Sequence, residues 1–222
     1  MALLKATGIT KAYNTLKVLK GIDIEIQPEE IISIVGASGA GKSTLLHVLG
    51  LLDSPDNGMV QLNGTDIQKL GAIDKARFRN KEIGFVFQFH NLLPEFTALE
   101  NVCIPGYIKG DDKLEVERRG REILKNLGVS SRDQHKPSQL SGGEQQRVAV
   151  ARALINKPAI VFADEPSGNL DSKNAKSLHD IFFSLRDATG QTFVIVTHND
   201  ELADMADRKL IIEDGQILSK PR

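Results

Sequence analysis

Cysteine is nearly absent from this chain. Cys103 stands alone among 222 residues, so no internal disulfide can form and a reducing compartment fits. Its simplest role is that of a small buried hydrophobe. Long apolar runs are lacking too. Nothing approaches the roughly 18 residues of a membrane span, and the first residues carry no secretory apolar region. Neither sign of charge is in excess: the net charge of −1 argues against a protein held to nucleic acid through phosphate contacts. The one basic cluster, residues 77–81, reads as a solvated face. There is no internal repeat, low-complexity tract or long linker. What is present is 41% hydrophobic and 26% charged, an ordinary balance for a globular protein. The length suffices for one large domain or a core with an inserted lobe. The chain is expected to be cytosolic, or to sit on a membrane through something else.

Residues 36–43, Gly-Ala-Ser-Gly-Ala-Gly-Lys-Ser, match G-x-x-x-x-G-K-[ST], a loop that cradles nucleotide phosphates. An apolar run at 31–35 precedes it and a helix-like run at 44–51 follows, which is the strand–loop–helix setting the motif needs. Glycines at this spacing let backbone N–H groups wrap phosphate oxygens, and the helix directs its positive end at the same oxygens. Lys42 supplies a cation for the β- and γ-phosphates, and Ser43 a hydroxyl ligand for Mg²⁺. The bland alternative, a glycine turn capped by Ser43, leaves these flanks unexplained.

Strands are expected at 3–13, 22–26, 30–35, 59–62 and 83–87, the fourth followed by an Asn63-Gly64 turn. From about 88 to 140 strand signals fade. Helices are expected at 98–102 and 114–127, the second stopped by Gly128, so this stretch reads as a helical lobe inserted in an α/β core. Strand-like runs return at 159–163 and 192–196. Between them Leu178, Ile181, Phe182 and Leu185 mark a helix ended by Gly190, which makes a β-α-β crossover. The tail, 208–213 and 216–219 around Asp214-Gly215, reads as a hairpin.

Three core strands end in loaded residues. One runs into the phosphate loop, one into Asp164-Glu165, and one into His198. In a parallel sheet ligands bind beyond the carboxyl ends of the strands, so all three are expected at one edge. There Asp164 would hold Mg²⁺, Glu165 would orient or deprotonate a water, and His198 would contact the γ-phosphate. A second helix opens at Leu140-Ser-Gly-Gly-Glu-Gln-Gln-Arg147. Ser141 with Glu144 fits a capping box, which does not account for Gly142 and Gly143, each costing up to ~1 kcal/mol in a helix. Two phosphate-facing helix starts imply a second nucleotide or a second copy of the chain.

These residues in this order, with Gln88 and with 167–171, make the chain resemble the ATPase subunits of ABC transporters over essentially its whole length. The resemblance implies a P-loop α/β core (residues 1–87 and 141–222) with an N-terminal antiparallel β subdomain and an inserted α-helical subdomain (88–140). It implies a head-to-tail dimer with ATP and Mg²⁺ between the copies. One copy would contribute Gly36, Ala37, Ser38, Gly39, Ala40, Gly41, Lys42, Ser43 and Thr44, the other Ser141, Gly142, Gly143 and Glu144. By the same match Tyr13 stacks on adenine with Val18 nearby, Gln88 joins the metal site to a membrane partner, and Asp171 bridges the copies. Glu165 stands where hydrolysis needs a glutamate. Phe89, Leu92, Leu93 and Phe96, interrupted by His90, Asn91, Pro94 and Glu95, read as a docking groove for integral membrane subunits rather than as core. The string 85–102, with Gly50-Leu-Leu-Asp53, resembles the lipoprotein-releasing branch of the family, whose relatives include macrolide-efflux and cell-division ATPases. That implies a peripheral seat on the cytoplasmic face of a bacterial inner membrane, no nucleic-acid partner, and cargo met only through the membrane subunits. A soluble ABC ATPase acting on DNA or ribosomes would need coiled coils, a second cassette or a basic patch, none of which is visible.

Overall fold

Successive side chains of a strand point to opposite faces, and the apolar runs of the main sheet use both. β3 (Ile31–Val35), β7 (Ile160–Asp164) and β8 (Thr192–Val196) send Ile32, Ile34, Ile160, Phe162, Val194 and Val196 into one core. Ile31, Val161, Ala163, Phe193 and Ile195 enter another. Covering both faces is what allows such strands to be apolar throughout. The computed structural model describes residues 1–218. With β6 (Ile83–Phe87), β9 (Arg208–Glu213) and β10 (Gln216–Leu218) these strands form a six-stranded sheet in the order β10-β9-β3-β8-β7-β6. All neighbours are parallel except the β9–β10 hairpin. Ser219, expected at the end of that hairpin, lies outside the described residues.

β1 (Leu4–Tyr13), β2 (Leu16–Ile26), β4 (Asn57–Leu62) and the short β5 (Thr65–Asp66) form a separate antiparallel sheet, order β2-β1-β4-β5. Its inward residues, among them Leu4, Ile9, Leu19, Ile22 and Val60, share the first core with Leu45, Leu46, Val48 and Leu49 of α1 (Lys42–Leu49). α1 touches β2 of one sheet and β7 and β8 of the other, so both sheets hold it. α2 (Ala72–Glu82) buries none of its residues. The solvated face expected for the basic cluster 77–81 holds only for Arg77 and Lys81: Phe78 packs against the first core, Arg79 donates to the Leu51 carbonyl at 2.8 Å and Asn80 to the Pro105 carbonyl at 3.1 Å. No apolar period announced this helix.

Between β6 and α5 (Gly142–Leu154) the described elements are helical. α3 (Ala98–Lys109) starts at a Thr97–Glu100 capping box and runs through Pro105, well past the expected residue 102. Packing overrides the proline: a Cβ at Gly106 would stand 2.7 Å from Val116 Cγ1 of α4 (Lys113–Asn126), and one at Gly120 would stand 3.0 Å from Cys103 Sγ. α3, α4, α5 and α6 (Ser172–Thr189) fill the second core, and Cys103 is fully buried there. α6 ends at left-handed Gly190 and links β7 to its parallel neighbour β8. α7 (Asp200–Met205) was too short to carry a period.

The loop joining β6 to α3 is tied down by two polar side chains. Asn101, fully buried, donates from Nδ2 to the carbonyls of Leu93, Phe96 and Thr97, and its Oδ1 accepts the Leu93 N–H at 2.8 Å. From α5, Arg152 donates to the carbonyls of His90 and Asn91. Burial lowers the pKa values of Arg152 and, with the Arg152 charge, of His90. Each backbone group left unmatched in a buried setting costs about 1–3 kcal/mol. Asn101→Ala should therefore lower unfolding free energy by about 3 kcal/mol, to be read from urea denaturation.

Candidate functional site

Register aligns the carboxyl ends of four strands. Ile34 is level with Val196, Val196 with Asp164, and Asp164 with Phe87. β3 therefore leads into the 36–41 loop, β8 into Thr197-His198, β7 into Glu165 and β6 into Gln88, all at one edge. The three strand ends expected to converge do so, and Gln88 makes a fourth.

The loop is shaped by its glycines. Gly36 has φ 154°, and a Cβ there would overlap the Ile212 carbonyl oxygen of β9. Gly41 is the N-cap of α1 in the left-handed region, with no side chain capping the first turn, so the leading N–H groups of α1 are open to an anion. Ala37, Ser38 and Gly39 are exposed, and Ala40 turns inward. Lys42 Nζ folds back to donate to the Gly36 and Ala37 carbonyls, 2.9 Å each. Val18 borders the loop: a Cβ at Gly41 would stand 3.4 Å from its Cγ1.

Ser43 Oγ donates to Asp164 Oδ1 at 3.1 Å, and His47 Nε2 lies 4.0 Å from Asp164 Oδ2. Glu165 has φ 48°, a left-handed conformation uncommon for a residue with a side chain. Its N–H donates to the Val196 carbonyl, and its Oε2 lies 2.7 Å from His198 Nδ1 and accepts the His198 N–H at 3.3 Å. Gln88 and Asn169 bond reciprocally: Gln88 Nε2 donates to Asn169 Oδ1 at 3.1 Å, and Asn169 Nδ2 to the Gln88 carbonyl at 3.2 Å. The Gln88 side-chain oxygen is the atom left over. The oxygen donors Ser43 and Asp164 suit a hard cation such as Mg²⁺. No cluster of three acidic, histidine or cysteine ligands occurs among the described residues; Mg²⁺ is usually bound through few protein ligands plus water and substrate oxygens.

The second helix start has the expected capping box. Ser141 Oγ accepts from the Glu144 N–H at 3.3 Å, and the Ser141 N–H donates to Glu144 Oε2 at 2.8 Å. Glu144 Oε1 accepts Arg132 Nε at 2.8 Å, a contact no short-range pattern announced. The two glycines part company. A Cβ at Gly143 would crowd the Asn174 side chain, 2.7 Å from its Oδ1, whereas one at Gly142 would meet only Leu170, at 3.8 Å. Asp171 caps α6, accepting the Asn174 N–H at 2.9 Å. Among the described residues no hydrogen bond or ion pair joins 141–144 to 36–44.

Tyr13, at the end of β1, donates its hydroxyl to Asp53 Oδ2 at 2.7 Å, which with burial raises its pKa. His47 and Arg132 carried no signal in the sequence, and Asp53 and Asn169 stood there only inside longer motifs, since each acts through a partner at least 12 residues away.

The family described as ABC transporter matches residues 19–168. The chain belongs to the ABC transporter family. Among solved structures, the ABC cassette MJ0796 in a dimeric post-hydrolysis state bound to ADP and Pi is similar at TM-score 0.90 and 38% identity, covering 99% of this chain and 98% of that one. Among curated relatives, the lipoprotein-releasing system ATP-binding protein LolD of Cytophaga hutchinsonii is 59% identical over 97% of this chain and 99% of its own length. That of Bacteroides fragilis is 58% identical over 95% and 98%. As a member of this family the chain binds nucleotide.

The Arg132 guanidinium, then the Ser141 N–H, lowers the Glu144 pKa from 4.5 to about 2. A depressed carboxylate contributes stability that is present above its ordinary pKa and lost as pH falls through the folded value. Glu144→Gln keeps an acceptor for the cap but not the charge. Its urea midpoint should lie below that of the native chain above about pH 5, and the gap should close toward about pH 2.

Proposed function

We propose that this chain is the ATP-hydrolysing subunit of an ABC transporter that releases lipoproteins from a bacterial inner membrane toward the outer membrane. The cargo is supported by near full-length relatives bearing that name, at 59% and 58% identity. The chemistry is carried by one observation: a left-handed Glu165, its carboxylate 2.7 Å from His198 Nδ1, at the same sheet edge as Lys42 and Ser43.

ATP lies over residues 36–44, its phosphates held by loop N–H groups and the positive end of α1. Lys42 exchanges two neutral carbonyl partners for anionic phosphate oxygens, which form stronger charge-assisted bonds. Ser43 and Asp164, with Gln88, would hold Mg²⁺, which supplies charge neutralisation on the phosphate oxygens. Glu165 orients the attacking water and takes its proton. His198 keeps that carboxylate in place and reaches the γ-phosphate. A second copy, head to tail, supplies Ser141, Gly142, Gly143 and Glu144. Because the Ser141 Oγ accepts within its capping box, its hydrogen stays free to donate to a phosphate oxygen. Asp171 bridges the copies, and Tyr13 stacks on the base beside Val18.

Membrane subunits dock on the lobe spanning 88–140, against Gln88–Phe96. Phe89 is 69% exposed, Leu93 and Phe96 are exposed, and Leu92 packs on the second core. Three of the four apolar residues therefore favour a docking surface and one favours core. A cleft of about 420 Å³ lined by Phe85, Phe87, Asn91, Ile108, Arg152 and Asn156 adjoins them. No described helix is long and apolar enough to cross a membrane, and the seat on the inner membrane's cytoplasmic face comes from these partners. Glu165→Gln should keep ATP binding, lower hydrolysis by about 100-fold or more, and accumulate an ATP-bound dimer. Phosphate release and size-exclusion chromatography measure both; a normal hydrolysis rate would remove Glu165 from its role.

A further inference from the structure

A polar clamp surrounds Tyr13 that phosphate chemistry does not need. The Tyr13 hydroxyl donates to Asp53 Oδ2 at 2.7 Å. Asp53 Oδ1 accepts Lys11 Nζ at 2.8 Å and the Ser54 N–H at 2.7 Å. Lys11 Nζ also donates to the Ser54 carbonyl and lies over the Tyr13 ring, 5.2 Å from its centroid, within cation–π range. The pairing of β1 with β2 shifts register between Lys11 and Ala12, and across that irregularity the Lys11 and Tyr13 side chains meet at Asp53. Asp56 anchors the same strand end, accepting the Ala12 N–H at 2.7 Å and donating its own N–H to the Thr10 carbonyl. The Lys11 side chain is only 11% exposed, whereas Tyr13 is 46% exposed. A half-buried lysine is thus held against a ring that is itself half exposed. The ring is held at its hydroxyl by Asp53 and on one face by Lys11, and its hydroxyl neighbours Thr44, which directly follows the phosphate loop. One face of the ring is left to use.

We propose that Asp53, backed by Lys11, is a positioning residue for base recognition, locking the Tyr13 ring beside the phosphate loop so that a purine stacks on it without first ordering it. This rests on the reading of Tyr13 as the base-stacking residue. Freezing a side chain in advance removes an ordering cost from binding. The clamp acts on the base end of the nucleotide alone, so its loss should spare a ligand that has phosphates and no base.

Affinities for ATP and for inorganic tripolyphosphate test this on the full chain. Tyr13→Ala should weaken ATP about fivefold or more, the worth of one base–aromatic stack, with tripolyphosphate unchanged. Asp53→Ala and Tyr13→Phe should each weaken ATP about threefold, and the double variant no more than either single one, because both cut the same contact. Asp53→Asn, which keeps an acceptor for the hydroxyl, should recover most of the loss. Equal losses for ATP and tripolyphosphate in Asp53→Ala, or additive losses in the double variant, would overturn the proposal. If Tyr13→Ala weakens ATP but Asp53→Ala does not, the positioning role alone fails. If Tyr13→Ala leaves ATP affinity untouched, the stacking reading fails and takes the proposal with it.

Discussion

The pairing register of β3, β8, β7 and β6 is the constraint on which the rest of the molecule depends. Side chains alternate with a period of two, so slipping any of these strands by one residue would exchange its two faces. Phe162 would leave the core it shares with α1, and Val161 and Ala163 would leave the core filled by α3 to α6. The same slip would move Asp164 off the level of Val196 and Phe87, and Ser43 would lose its carboxylate partner. Packing of two apolar cores thus sets the geometry of a polar edge. The hydrophobic effect supplies the free energy, and the chemistry inherits the alignment.

That edge holds little slack. The Gly36 backbone lies against the Ile212 carbonyl, Lys42 is drawn over its own loop, and Glu165 is kept in a left-handed turn by its N–H bond to Val196 and its carboxylate bonds to His198. Strain of this kind persists only where the surroundings over-determine it. The β6–α3 loop follows the same logic with polar means: Asn101 and Arg152 bind its carbonyls from beneath, which leaves Phe89, Leu93 and Phe96 outside.

Legibility in the sequence tracked the range of the interaction. The 36–43 loop, the Ser141–Glu144 capping box, the Gly190 stop and the β-α-β crossover are short-range patterns, each readable from neighbours in the chain. α2 and α7 offered no readable apolar period, one having no fully buried residue and the other only six residues, and α3 runs past its expected end at residue 102, through Pro105, held by packing against α4. Gly143 also leaves room for the Asn174 side chain, a contact 31 residues away in the chain that no local pattern encodes.

By itself the sequence determined which polar and glycine residues stand at which strand or helix end, because those assignments rest on local spacing and on the apolar period. Only the tertiary structure decided that the ends are level, that Asn169 faces Gln88, that Arg132 binds Glu144, and that Lys11 and Asp53 hold Tyr13. Those side-chain contacts join residues 12 to 81 positions apart. No local pattern encodes them; they appear only when burial of both sheet faces brings distant segments together.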